Sequence, residues 1–487
     1  MRVPYTLTEL IDIYERLVIK AMSLYELGRL SECINCIQSA AEFQYNLNNI
    51  YTDRRLEMLI KNISNALYKK NTTYQVTTTV FFYDSFCLDN RGLTQHYLDA
   101  LVNDSRYKVV YILENDNTQN GNDIIAYLNY HNVKIEVLPA GSPIEKSKFL
   151  YELICIYRPT SALFHLTPYT VIPFLSFYPF KDIIKYQINL TDHAFWLGNK
   201  DFFNFLYEFR NYGIVVSQEK RGYNKSQLIL NHYYPWQSGA LFQGFPIKTE
   251  GKTILLSGGA MYKIEGDNDM YFTLLKELLN TFPEILIFYA GGGNDTHLRK
   301  FIDENNYHDR LILLGNRVDI DALFKNCDIY ISTYPIGGGL MSQYAAINSK
   351  PILLYKSKEI EKLICTKEYR PYALESIDDF LNEAGKLIRN KDYRESRGKF
   401  FRDMLLGKND FRERFSKTFM DTNFKSEEYC HEEIDYDYFT GTYVERINNN
   451  SFGFIEKALI KRGVFNFKII MNSFLQIPQY FRSRFLK

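Results

Sequence analysis

Short β-rich runs separated by segments of helical length recur along most of the chain, and this alternation constrains the fold more than any other feature of its 487 residues. After the polar "KKNTTYQ" come "VTTTVFFYD", "YKVVYIL", "VKIEVL", "SALFHL", "IIKYQINL" and "YGIVVS". Beyond the connector "NHYYPWQSGALFQGFPIKTEGK" come "KTILLSG", "EILIFYAGGG", "RLILLGN", "CDIYIST" and "KPILLY". Strands alternating with helices specify parallel sheets covered on both faces. The expected fold class is therefore α/β, with two doubly wound, Rossmann-like domains over 73–240 and 250–400. Ahead of them Leu7, Leu10, Ile11, Tyr14, Leu17 and Val18, then Leu24, Leu27, Leu30, Ile34 and Ile37, recur at three and four, with a break near Gly28. That period predicts a small helical cap over 1–72, and residues 401–487 read as C-terminal helices ending in a basic amphipathic tail.

Composition narrows the function classes. With 46% hydrophobic and 24% charged residues the chain can build packed cores, and a net charge of +1 gives it no electrostatic footprint for nucleic acid. The N-terminal "MRVPYTLTELIDIYERL" interrupts its apolar residues with Glu9, Asp12, Glu15 and Arg16, which no secretory h-region tolerates, so a cytoplasmic location is expected. Cys33 and Cys36 lack a second pair to complete a zinc site and read as helix-packing thiols. The uncharged run Pro159–Phe180 is long enough to span a bilayer, but its four prolines favour a buried strand followed by a Pro-started helix. The tail over 452–487 carries seven Lys or Arg against one Glu, interleaved with Phe, Ile and Leu. It suits either peripheral contact with an anionic membrane or packing back on the protein.

Glycines gather after the strands of the second half, in "LLSGGAMYK", "FYAGGGND", "LLGNRVD" and "STYPIGGGLMS". In doubly wound sheets ligands bind beyond the carboxyl ends of the strands. Gly337, Gly338 and Gly339 would bare the N-terminus of a helix beginning near Leu340, where N–H groups and the helix dipole favour a diphosphate. Tight strand-to-helix turns also use glycine for packing alone, and in "AGGG" that reading stays open beside the functional one. The loops fit neither the dinucleotide fingerprint nor the Walker pattern.

The run "LILLGNRVDIDALFKNCDIYISTYPIGGGLMSQYAAINSKPILLY" resembles the donor-binding core of GT-B nucleotide-sugar glycosyltransferases of the group-1 and O-GlcNAc-transferase-like kinds. The resemblance implies that the backbone around Asn316, Arg317 and Val318 meets the nucleobase. It places the diphosphate on the turn Gly337, Gly338, Gly339, Leu340, Met341 and Ser342, with the Ser342 hydroxyl as a donor. Ser257, Gly258 and Gly259 would approach the donor, and Lys263 would stabilise the leaving diphosphate. The glutamate pair of retaining group-1 enzymes is missing: Gln343 or Tyr344, and Ile336 or Gly337, stand in its places, although Gln343 could bond a ribose hydroxyl. That departure points to inversion.

Inversion by direct displacement needs a general base from the first half. In "YQINLTDHAFWLGNKD", His193 is the candidate base and Asp192 its orienting acid; His165, ending "SALFHL", is the rival. Arg91, Gly92 and Thr94 resemble the GT-B loop that reaches towards donor phosphate or acceptor, or else shape a helix start. The Asp-x-Asp occurrences (Asp267 with Asp269, Asp319 with Asp321, Asp435 with Asp437) sit in a polar loop, a helix start and an acidic tail, so no metal and no cofactor beyond the nucleotide sugar is expected. The expected partners are that sugar, with uridine as the expected nucleoside, and a glycan, lipid-linked or protein acceptor, with hexosyl or N-acetylhexosaminyl transfer as the reaction. Two other readings stay open: a nucleotide-sugar epimerase, which would need more carboxylates in the cleft, and a catalytically silent subunit that stabilises a partner transferase.

Overall fold

The structure is a computed structural model and describes residues 3–68, 77–87, 93–116, 123–237, 239–357, 372–421, 433–449 and 453–475. The chain divides into two compact units. One holds residues 1–231, 412–432 and 451–487, the other 232–411 and 433–450, so the connection passes from unit to unit four times.

The first unit opens with α1 (Leu7–Glu26), α2 (Leu30–Leu47) and α3 (Arg54–Leu67), the expected cap helices. α1 starts on a capping box: Glu9 N–H donates to the Thr6 hydroxyl, and Thr6 N–H donates to the Glu9 carboxylate. α1 and α2 are separated at Gly28, whose φ of +70° is the left-handed conformation glycine adopts without strain. Cys33 and Cys36 are buried on α2, and burial pushes the Cys33 thiol up to about 12, so both are packing thiols.

The sheet follows as β1 (Thr79–Asp84), α4 (Leu93–Val102), β2 (Lys108–Leu113), α5 (Asp123–Tyr130), β3 (Lys134–Val137), α6 (Pro143–Tyr157), β4 (Ser161–His165), α7 (Ile172–Phe177), β5 (Ile184–Ile188), β6 (Phe205–Glu208), α8 (Asn211–Glu219) and β7 (Leu228–Leu230). The order β3-β2-β1-β4-β5-β6-β7 is parallel throughout. Every residue of β1 is buried, as expected for a strand covered on both faces. Pro159–Phe180 contains β4 and the proline-started α7.

One expected strand is corrected. "YGIVVS" lies inside α8, while the strands of that region are the short β6 and β7 on either side. A buried apolar run of six residues has no periodicity to separate helix from strand. Gly213 lets α8 close on the sheet, because a Cβ there would stand 2.2 Å from Glu208 Oε2.

The second unit holds β8 (Thr253–Gly258), α9 (Met270–Thr281), β9 (Ile285–Ala290), α10 (Thr296–Asn305), β10 (Leu311–Gly315), α11 (Ile320–Lys325), β11 (Ile329–Ile331), α12 (Gly339–Ile347), β12 (Ile352–Leu353), α13 (Ile377–Arg389) and α14 (Lys391–Asp403). Its sheet, β10-β9-β8-β11-β12, is also parallel. Apolar clusters cover both faces, one built on Leu255, Ile287 and Leu278, the other on Leu256, Phe288 and Phe324.

The C-terminal segment is shared between the units. α15 (Lys408–Thr418) contains one of the crossings, α16 (Tyr436–Asn449) belongs to the second unit, and α17 (Gly453–Lys461) and α18 (Phe467–Leu475) return to the first. There they pack on the cap. The Tyr5 hydroxyl donates to Glu456 (2.7 Å), Val3 and Asn472 exchange two hydrogen bonds, Lys468 pairs with Glu9 (2.7 Å), and Arg462 donates to Ser39 (3.1 Å). The described half of the basic tail is thus a packing element. Phe465 and Phe467 remain exposed, at 56% and 75%. Among the described residues no helix is long and apolar enough to cross a membrane.

Candidate functional site

In a doubly wound sheet the ligand crevice lies at the carboxyl ends of the two strands where the order reverses. In the second unit these are β8 and β11. The loop after β8 is stitched to its neighbours through backbone: Gly259 N–H donates to Ala290 O (3.0 Å), Met261 N–H to Gly292 O (2.9 Å), and Gly291 N–H to Gly315 O (2.9 Å). Such close approach excludes side chains. A Cβ on Gly258 would stand 2.2 Å from Ala290 O, and one on Gly291 1.9 Å from Gly259 O. Loop-on-loop packing alone therefore accounts for glycine at 258 and 291. Ser257, fully buried, donates to Ile331 O (2.8 Å) and bonds Tyr271, which ties β8 to β11 and keeps the hydroxyl in the core.

Lys263, half-buried in the following turn, places Nζ 3.4 Å from Gly337 O, and Ile336 N–H donates to Lys263 O (3.3 Å). These contacts join the loop after β8 to the glycine turn after β11. Gly338 is the N-cap of α12, which starts at Gly339, one residue before the expected position. Gly337 and Gly338 are buried, and Gly339, Leu340 and Met341 are half-buried. A Cβ on Gly338 would meet the Tyr330 phenol oxygen at 2.5 Å.

Two expected donors face inward. Ser342 is fully buried beside Tyr330 on the face of α12 that also carries Ala345 and Ala346, so its hydroxyl is not on the open side of the turn. Gln343 is 1% exposed and its Nε2 donates to Tyr233 O (3.0 Å); Oε1 is buried without a hydrogen-bond partner among the described residues. The residues after β10 split. Arg317 forks onto Asp319 (2.7 and 2.6 Å) and donates to Gly244 O, so it anchors the preceding connector, whereas Asn316 and Val318 are exposed beside it. Asn316 also lies against Gly292, where a Cβ would come within 2.4 Å of its Oδ1.

Sequence reasoning did not single out the pair Glu265 and His297. Glu265, buried just past Lys263, accepts from His297 Nδ1 at 2.9 Å, and that bond raises the imidazole's pKa. The contact pins the loop after β8 to the first turn of α10.

In the first unit the order reverses between β1 and β4. β1 ends on Asp84 and β4 on His165, in register with one another. Asp84 Oδ1 lies 3.2 Å from His165 Nδ1, which is also 3.1 Å from the Thr94 hydroxyl, and Tyr111 donates to Asp84 Oδ2 (2.6 Å). His165 is 1% exposed, and its Nε2 is buried without a hydrogen-bond partner among the described residues. Thr94 thus serves the His165 cluster, while Arg91 and Gly92 lie outside the described residues. The signal for Asp84 was its place as the last residue of "VFFYD".

His193 and Asp192 lie in the loop after β5. Asp192 is fully buried and held by Arg210 through two bonds (2.5 and 2.9 Å), with His193 Nδ1 at 3.4 Å from Oδ1. Burial pushes the carboxyl up, but the Arg210 guanidinium outweighs it and holds Asp192 well below the usual carboxylate range. The acid expected to orient His193 is thus chiefly the partner of an arginine. His193 itself is 16% exposed. The cap holds this loop: Asn48 donates to His193 O and accepts from Phe195 N–H (both 2.8 Å), and Gly198 N–H donates to Glu57 (2.7 Å). Among the described residues no three His, Cys, Asp or Glu side chains group to hold a metal ion.

No family model matches the sequence, and no curated protein sequence matches it. Solved structures do match. The Anabaena HepE protein in complex with UDP and glucose aligns over 70% of this chain and 99% of its own, at 12% identity and a TM-score of 0.53. A glycosyltransferase from Rickettsia africae covers 72% of this chain and 99% of its own (11%, 0.53), and a mutant Thermobaculum terrenum O-GlcNAc transferase covers 90% and 82% (10%, 0.51). At these identities the likeness is one of fold, and the fold is GT-B-like, as the resemblance implied.

Proposed function

We propose that the chain transfers a sugar from a nucleoside-diphosphate sugar, most simply a uridine one, to a glycan, lipid-linked or protein acceptor. The supporting observation is the meeting of the loops after β8 and β11, where the Lys263 amino group approaches the glycine turn that starts α12. Bare backbone, a helix N-terminus and a lysine are what a diphosphate requires. That the HepE protein was crystallised with UDP and with UDP-glucose supports the nucleotide.

In this reading Lys263 stabilises the charge that grows on the leaving diphosphate, and Asn316 and Val318, the exposed residues after β10, adjoin the base. The absent glutamate pair argues for inversion, with His193 of the first unit taking the proton of the acceptor hydroxyl. No divalent ion is required. A second base is favoured by its geometry: His165 is paired with Asp84 at the reversal of the first sheet and its Nε2 has no hydrogen-bond partner among the described residues. Hexose or N-acetylhexosamine is the transferred group, and the exposed Phe465 and Phe467 next to the basic tail allow peripheral membrane contact.

Calorimetric titration of the full chain with UDP, other nucleoside diphosphates and their sugars tests this reading without an acceptor. Binding of UDP and a UDP-sugar is expected; no binding of any of them sinks the proposal. Lys263→Ala should lower turnover more than affinity, because the diphosphate gains charge in the transition state.

A further inference from the structure

α16 comes from the C-terminal segment and lies against the loop that follows β8. Arg446 on this helix sits between two rings, with its guanidinium carbon 4.4 Å from the centroid of Tyr262 and 4.6 Å from that of Tyr443. Its Nε and Nη1 are buried and have no hydrogen-bond partner among the described residues. Arg310 and Arg397 of the same unit also have a buried Nε without a hydrogen-bond partner among the described residues, but each has an acceptor or an acid beside its guanidinium, Arg310 the carbonyls of Leu279 and Phe282 and Arg397 the Glu383 carboxylate at 3.3 Å. Aromatic rings attract the face of a guanidinium but accept nothing from the N–H groups in its plane. Buried donors without acceptors are costly, and a ligand that supplies acceptors removes the cost. Nε and Nη1 each share a planar fork with Nη2, and such a fork suits the paired oxygens of a phosphate or carboxylate.

Tyr262 immediately precedes Lys263, so α16 places a second cation beside the loop that carries the first. We infer that Arg446 binds an oxyanion of the co-substrate, either an oxygen pair of the diphosphate or a carboxylate on the sugar. This inference rests on the donor-site reading above and adds a specificity-determining residue from outside the second sheet. It also assigns α16 a role in binding, with Tyr262 and Tyr443 holding the guanidinium flat.

The test compares the parent chain with Arg446→Gln and Arg446→Lys, using inorganic pyrophosphate, UDP, UDP-glucose and UDP-glucuronate as ligands in calorimetry and thermal-shift assays. Arg446→Gln should weaken binding at least tenfold, with Arg446→Lys between it and the parent, and without a fall in the ligand-free Tm. Loss confined to UDP-glucuronate assigns the site to the sugar carboxylate, and loss with UDP and pyrophosphate as well assigns it to the diphosphate. Parental affinity of Arg446→Gln for all four overturns the inference and leaves the donor reading standing. A lowered ligand-free Tm with affinities unchanged also overturns it, since Arg446 is then a structural cation. If the parent binds pyrophosphate through Arg446 but no nucleotide, the anion site stands and the donor reading falls.

Discussion

Asp192 and Asp84 are both buried carboxylates beside a histidine, yet their partners divide them. Asp192 spends both oxygens on Arg210, and Asp84 faces His165 with one oxygen while accepting from Tyr111 with the other. A general base must reach the proton it removes, which favours the partly exposed His193, and it gains from an orienting acid, which favours His165. Reach is the prior requirement. His193→Ala is expected to lower turnover by about 10²–10⁴ with UDP-sugar affinity nearly unchanged, and His165→Ala to change it less. Steady-state rates and donor affinities of the two variants decide the matter, and the reverse ranking would move the base to His165. Neither partner arrangement was legible in the sequence. Adjacent Asp192 and His193 looked like a pair, whereas Asp84 and His165 are 81 positions apart and meet only because β1 and β4 are neighbours in the sheet.

Among elements, α12 and α3 each support a loop in a way that can be measured. At the start of α12 a Cβ on Gly338 would press on the Tyr330 oxygen, so Gly338→Ala should cost about 1–3 kcal/mol of stability. Adding Tyr330→Phe removes that oxygen and should restore most of the loss in a denaturant titration; no recovery would mean that the contact is not the cause. On α3, burial raises the Glu57 carboxyl from 4.5 to about 7, against the lowering effect of the Gly198 N–H it accepts. The folded state thus holds this proton more tightly than the unfolded chain. Its stabilising contribution is full below about 4.5 and is lost as pH rises through about 7. Glu57→Gln should therefore flatten the fall in Tm between pH 5 and pH 8, and a slope equal to the parent's would refute that origin. The strands of both sheets were largely readable because buried parallel strands are continuous β-branched and aromatic runs. α8 was not, since Ile214, Val215 and Val216 are apolar for burial against the sheet and carry no helical period.

For the whole molecule the informative region is the end of the chain. Lys468 and Arg462, which made the tail look like a membrane surface, are occupied by Glu9 and Ser39 on the cap. Phe465 and Phe467 are exposed and are the residues through which a bilayer could be met. Phe465→Ser with Phe467→Ser should reduce sedimentation with anionic vesicles at low salt while leaving Tm unchanged. Sedimentation equal to the parent's would remove these residues from membrane contact. Only the alternation of strands and helices was needed to expect two doubly wound units. The division of the C-terminal segment between them was invisible, because amphipathic helices such as α16 and α17 show which face is apolar and not which core it joins.

The four passages of the chain between units also order events during synthesis. Residues 1–231 emerge first, but their unit is completed only by α17 and α18, roughly 240 residues later. At ribosomal rates of about 5–20 residues per second that is a wait on the order of 10–50 s. Through that interval Tyr5, Val3 and Glu9 have yet to meet Glu456, Asn472 and Lys468. Translation that stops anywhere before residue 453 releases a chain whose cap lacks the partners of Val3, Tyr5, Glu9 and Ser39.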